Sequence, residues 1–233
     1  MTEPRTGIRA LKKQVLGILS QDSLDHALAQ ILHISPRQVV NPLIGLLCHQ
    51  EETIRWRAIL SLGRLVSALA DSNMESAREV MRRFMWQMNE ESGGIGWGVP
   101  EAMGEVMANH PGLAKEYASI LVSYVDEDQC FLEHDAFRRG ALWGVGRLAT
   151  VHPDLVRDAG PALAKILECP DAPNRGLAAW AIGWLGYSRA VDRLKTLVDD
   201  QGLTPLFEDN RMRAVTVGAL AREALEKLEA APS

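Results

Sequence analysis

A period of about forty residues constrains this chain more than any other feature. Four segments align without gaps: "IRWRAILSLGRL" from Ile54, "IGWGVPEAMGEV" from Ile95, "FRRGALWGVGRL" from Phe137 and "NRGLAAWAIGWL" from Asn174. A weaker fifth, "MRAVTVGALARE", begins at Met212, and the starts lie 41, 42, 37 and 38 residues apart. Self-similarity at such a period is the mark of a repeat architecture, in which each unit buries its apolar face only against its neighbours. The first four copies share a glycine at the tenth place, Gly63, Gly104, Gly146 and Gly183. A residue without a side chain there lets the next helix approach closely.

Between these copies lie second amphipathic segments with apolar residues recurring at three and four: "PRQVVNPLIGLLCH", "MESAREVMRRFMWQM", "PGLAKEYASILVSYV", "PDLVRDAGPALAKIL" and "SRAVDRLKTLV". The junctions "NHPGL" and "VHPDL" place a proline in a first helical turn, where its missing N–H is not needed. No alternating strand run is evident. The expectation is an all-α chain, a right-handed α-α superhelix of about five to six helix pairs. It forms one repeat domain over 1–233, with cap helices in 1–34 (a first helix near 7–20), repeats over 35–229 and a tail at 230–233.

The repeats resemble the HEAT-like family, in particular the short variety first described in phycobilin lyases. The carriers are the helices just quoted, each preceded by an acidic turn, as in "PDAPNRGLAAWAIGWLG". The resemblance implies a ladder between turn aspartates and the arginine at the second helical place, matched here by Arg55, Arg138, Arg175 and Arg213, with Gly96 in the second copy. These arginines are expected to be structural and to satisfy backbone groups at the turns. The stretch "MNEESGGIGWG" is also similar to a segment of prokaryotic HEAT-repeat proteins with no activity to carry over. A repeat scaffold hosts many functions, so the resemblance speaks to fold alone.

It also implies that the second helix of each pair lines a concave side. The third, seventh and eleventh places then face a groove: Trp56, Leu60 and Arg64; Trp97, Glu101 and Glu105; Arg139, Trp143 and Arg147; Gly176, Trp180 and Trp184; Ala214, Gly218 and Arg222. Five of the six tryptophans fall on this stripe, and only Trp86 lies elsewhere. Tryptophan and arginine are the types most enriched at binding hot spots. The expected partner-binding set is therefore Trp56, Arg64, Trp97, Glu101, Glu105, Arg139, Trp143, Arg147, Trp180 and Trp184. Trp143, Trp180 and Trp184 should be at least partly accessible and share a surface with Arg147. If they instead fill space between repeats, their loss would cost stability rather than binding.

The stretch "NEESGGIGWGVPEAMGE", residues 89–105, adds a further expectation. Pro100 sits at the sixth place of its copy, and a proline inside a helix costs about 3 kcal/mol. The helix should therefore start near Val99, a turn later than its equivalents, leaving residues 91–98 as loop. The glycines would supply positive φ or close backbone approach. Glu90, Glu91, Gly94 and Gly96, with Trp97 and Glu101, are expected at a functional notch. Replacing Gly94 and Gly96 by alanine should weaken partner binding without unfolding.

Other chemistries fare poorly. "GGIGWG" follows no strand, lacks the G-x-G-x-x-G spacing and stands beside two glutamates that would repel phosphate. "EHD" (Glu133, His134, Asp135) is all that comes near the His-Glu pairs of iron-dependent HEAT-repeat hydroxylases. Cys130 and His134 lie one turn apart, but two candidate ligands do not make a zinc site. No metal and no cofactor are expected, and His110 and His152 read as capping or surface residues. HEAT-like DNA glycosylases share the length and the tryptophan-lined groove. They remain the alternative reading, together with other nucleic-acid-binding repeat proteins, but a net charge of -5 suits a phosphate-tracking protein badly. Three scattered cysteines and no long apolar segment fit a soluble chain in the cytoplasm. The expectation is a noncatalytic scaffold that recognises another protein, binding a peptide or helix in a Trp/Arg/Glu-lined groove.

Overall fold

The computed structural model describes residues 8–88 and 96–230, which divide into two compact units, 1–110 and 111–233. The all-α repeat architecture read from the period is present. Among the described residues twelve α-helices follow one another, interrupted by a single β-hairpin.

The first unit contains α1 (Ile8–Leu19), α2 (Leu24–Leu32), α3 (Pro36–Ile44), α4 (Glu52–Ser72), α5 (Met74–Met88) and α6 (Val99–Asn109). The Ser23 hydroxyl caps α2 by accepting from the His26 N–H at 3.3 Å, and Pro36 enters α3 in its first turn. The apolar stripes of α4 and α6 meet in a core of Ile54, Ile59, Leu62, Val66, Met103, Val106 and Met107, all buried. Gly63 permits this packing, since a Cβ there would stand 2.6 Å from Glu105 Cγ.

As Pro100 demands, α6 begins at Val99 with the proline in its first turn. Gly98 caps it at φ +75°, and a Cβ on Gly98 would lie 2.8 Å from the Leu47 carbonyl oxygen. Positive φ and close backbone approach thus coincide at this glycine.

The second unit contains α7 (Pro111–Ser123), α8 (Asp135–Ala149), α9 (Gly160–Ile166), α10 (Ala172–Leu185), α11 (Val191–Thr196) and α12 (Val217–Ala230). Two 3-10 turns, Pro153–Ala159 and Ser188–Ala190, lead into α9 and α11. His134 caps α8 through Nδ1, which accepts from the Ala136 N–H, and Asp171 caps α10 by accepting from the Asn174 N–H. Helices α8, α10 and α12 stack in order. The Trp180 ring lies directly on Gly146, and Ala224 Cα would be 2.8 Å from a Cβ at Gly183. Gly63, Gly146 and Gly183 therefore do what the repeat required of them.

The fifth copy departs from expectation. Its first residues form no helix: β1 (Leu203–Glu208) and β2 (Arg211–Thr216) make an antiparallel hairpin, and α12 starts only at Val217. The reason is local chemistry. Asp209 and Asn210 hold φ +52° and +60°, the left-handed pair of a two-residue hairpin turn. "LTPLF" and "MRAVT" flank it with β-branched and aromatic residues. Pro205 pairs with Ala214, a position whose N–H points away from the neighbouring strand and so tolerates proline.

Candidate functional site

In the second unit, three rows of side chains run across α8 and α10, and the hairpin decides which of them stay exposed. At the third place, Thr204 lies against Gly176, where any Cβ would collide with its hydroxyl, and its Oγ1 donates to the Ala172 carbonyl at 3.3 Å. At the seventh place, Trp143 Nε1 donates to the Phe207 carbonyl at 2.8 Å, and the two rings meet edge to face with centroids 6.4 Å apart. Trp180 Nε1 donates to Glu208 Oε1 at 3.1 Å, while Arg213 Nη2 holds Glu208 Oε2 at 2.5 Å.

Trp143 and Trp180 are consequently only 4% and 5% exposed. This corrects the expectation that they are accessible. They are packing residues whose polar N–H groups anchor the hairpin, as buried indoles require.

The eleventh-place row stays open. Trp184 is 38% exposed, with Lys227 Nζ of α12 4.8 Å from its ring centroid. Arg147, one turn beyond Trp143, is half-buried and donates to Thr150 Oγ1 at 3.0 Å. Arg222 is exposed and donates to the Val198 carbonyl.

Arg139, half-buried, is engaged within the chain. It makes a two-point ion pair with Asp171, at 2.7 and 3.2 Å, and so ties α8 to the cap of α10. Arg175 repeats the arrangement one step on. Its Nε and Nη2 reach Asp200 at 2.9 and 2.7 Å, and its Nη1 donates to the Cys169 and Pro170 carbonyls at 2.8 Å. Burial pushes the Asp200 carboxyl up, but the Gly202 N–H and the Arg175 guanidinium outweigh it and hold the pKa below the usual value. Arg138 serves its own turn, donating to the Leu132 and Glu133 carbonyls and to Asp135. Arg55 reaches only Glu52, within its own helix, and Arg213 reaches Glu208 from a strand. Of the expected second-place arginines, Arg175 alone thus reaches the aspartate of the next turn among the described residues; in the third copy Arg139, at the third place, does so in place of the expected Arg138.

In the first unit the stripe divides in the same way. Trp56 is 6% exposed and belongs to the core. Glu105 is buried against Gly63, and its Oε1 accepts from Asn109 Nδ2 at 2.8 Å, which makes it a packing residue too. Arg64 is exposed, and Trp97 is 40% exposed beside the cap of α6. Glu101 is half-buried, with Oε2 fully enclosed and meeting no hydrogen-bond partner among the described residues. Burial raises its pKa to about 7, which its own backbone N–H and the Arg55 charge only partly offset. Gly96 is buried and its carbonyl accepts from the Val99 N–H, whereas Glu90, Glu91 and Gly94 lie outside the described residues.

The remaining titratable groups show no convergence. Among the described residues no three His, Cys, Asp or Glu side chains come together as metal ligands, and no helix is long and apolar enough to cross a membrane. His134 is occupied as a helix cap, and Cys48, Cys130 and Cys169 are free thiols.

Phe207, Glu208 and Lys227 are the neighbours of the tryptophans that the period does not reveal. The signal for the first two is present, in the "DN" turn between two β-prone runs, but the fifth copy of the period begins at Met212, past that turn and inside the second run. The stacking of Lys227 on Trp184 has no sequence signal, because 43 residues separate them (227 less 184).

Comparison with known proteins agrees with this architecture. The HEAT-like repeat family matches residues 135–183, and the PBS lyase HEAT-like repeat matches residues 175–200. An uncharacterized protein of Archaeoglobus fulgidus is 30% identical over 149 residues, covering 62% of this chain and 73% of that protein. Among solved structures, an engineered protein aligns over 94% of this chain and 96% of its own, at 15% identity and a TM-score of 0.54. A second engineered protein aligns over 98% of this chain and 62% of its own, at 16% identity and a TM-score of 0.54.

Proposed function

Because the chain belongs to the HEAT-like repeat family, we propose that it is a noncatalytic scaffold that recognises another protein through the side chains its hairpin leaves uncovered. The observation that carries this reading is Trp184, an exposed indole in the eleventh-place row, one turn beyond the buried Trp180, with Lys227 against its face. A cation held on the ring limits the freedom the indole has to lose on binding, which favours its use as an anchor. Arg147 and Lys227 bring positive charge to this row, so the fitting partner is a peptide or helix that offers an apolar side chain and a carboxylate. Trp97 and Arg64 of the first unit are a second pair of accessible side chains of the same types.

The test is affinity capture from the source cells with the wild-type protein beside Trp184→Ala. The exposed tryptophan should contribute about 2 kcal/mol to binding, roughly thirtyfold in Kd, at an unchanged melting temperature. If Trp184→Ala retains every protein that the wild type captures, this row is not the recognition surface.

A further inference from the structure

Among the described residues the sheet has two strands, and β2 pairs with β1 alone. The phase of that pairing decides where the remaining backbone groups point. Glu208 and Arg211 close the two-residue turn and are therefore a hydrogen-bonded pair. At the far end the Val217 N–H donates to the Gly202 carbonyl at 2.8 Å, in the same phase. Pairs alternate between these ends, so Phe207↔Met212 and Pro205↔Ala214 direct their backbone groups away from each other.

On β1 two of those outward groups are not available to a further strand. The Phe207 carbonyl is taken by Trp143, and Pro205 has no N–H to offer. On β2 the outward N–H and C=O groups of Met212 and Ala214 meet no hydrogen-bonding group of the described residues, and Ala214 is exposed. Proline and a bulge, two of the usual means of blocking strand addition, are absent from β2, whose charged side chains are Arg211 and Arg213.

We propose that the outer edge of β2, at Met212 and Ala214, docks an extended acidic segment of a partner protein as a third strand; this rests on the protein-recognition reading above. Backbone pairing supplies the geometry. Charge selects the occupant. Arg211 and Arg213 are the charged residues of β2, and the two share the single carboxylate of Glu208, across the strand pair and by ion pair respectively. An incoming strand with glutamate or aspartate opposite them gains opposite-charge pairs. A second copy does not. Antiparallel self-pairing centred on Ala214 places Arg213 opposite Val215 and Arg211 opposite Val217, with no acid on either side and the two Arg213 side chains diagonal to each other.

The experiment uses the full chain and an acetylated, amidated peptide Val-Glu-Val-Glu-Val-Thr, with hydrogen exchange of individual amides as readout. At millimolar peptide the Met212 and Ala214 amides should exchange at least tenfold more slowly. The lysine counterpart and a peptide N-methylated at alternate residues should give no protection. Ala214→Pro removes one outward N–H while leaving the pairing with β1 intact, so it should abolish binding with the melting temperature unchanged. The N-methylated peptide gives the same answer without any variant, should Ala214→Pro disturb the hairpin. Unprotected amides, equal protection by the lysine peptide, or a concentration-dependent dimer that Ala214→Pro removes would each overturn the proposal. Failure here, with capture still lost in Trp184→Ala, removes the third strand and leaves the scaffold reading standing. Protection of the edge, with capture retained in Trp184→Ala, removes only the open row.

Discussion

Trp143, Trp180 and Trp184 carry the same side chain at equivalent kinds of position, yet they serve two purposes. The first two are covered by Phe207 and Glu208 and donate their indole N–H groups to the hairpin, while Trp184 reaches solvent. Trp143→Ala or Trp180→Ala should therefore destabilise the protein by roughly 3–5 kcal/mol, as for other buried aromatic truncations. Urea melts of these variants beside Trp184→Ala check the contrast, which fails if all three lose equal stability. Glu101 offers a second test at this scale. Its folded-state pKa of about 7 lies above the ordinary 4.5, so the folded state favours the protonated form. The contribution of this carboxyl is then neutral below about pH 4.5, becomes destabilising as pH rises towards 7 and is constant above. Glu101→Gln should raise stability by up to about 3 kcal/mol at pH 8 and change little near pH 4. A stability difference that is the same at both pH values would show that burial does not govern this carboxyl.

At the scale of elements, the hairpin and the tenth-place glycines set how closely things pack. Asn210 holds φ +60°, where a side chain without a local hydrogen-bonding group costs about 1–2 kcal/mol. Asn210→Ala should lower stability by about 1 kcal/mol and redden the tryptophan emission as the hairpin loosens from Trp143 and Trp180. A stability loss without a spectral shift would mean that the turn and the indoles are not linked. Gly146→Ala should cost more, about 1–3 kcal/mol, because its methyl group enters the Trp180 ring and neither helix can yield freely. Denaturant titration measures both. The hairpin also explains why the stripe was legible and yet misread. Placing side chains at every third and fourth residue shows which face of α8 and α10 is not used by neighbouring helices. It cannot show that another part of the same chain lies on that face.

For the whole molecule, the reading of 1–233 as one repeat domain implies nearest-neighbour coupling along the chain. Thermal unfolding should then give one transition, with hydrogen exchange at α4 and at α10 lost together. Two separated transitions, dividing near residue 110, would instead make the compact units independent. HEAT-like membership sets the architecture but selects no partner, so the recognition reading stands on the accessible residues and on the capture experiment.

What the sequence determined by itself was whatever depends on local preference and on period. The spacing of apolar residues makes the helices, Pro100 delays α6 to Val99, and Gly63, Gly146 and Gly183 leave room for the next helix. The expected ladder follows too where turn aspartates recur, because a guanidinium one turn into a helix can reach the carbonyls behind it and the acid of the next turn. What only the tertiary structure decided was which residues of the stripe remain free. That depends on where a hairpin 28 to 64 residues downstream comes to rest, and on Thr204, Phe207 and Glu208 filling the space above Gly176, Trp143 and Trp180. Exposure is a property of the whole packing: no residue encodes it alone, and no periodicity carries it.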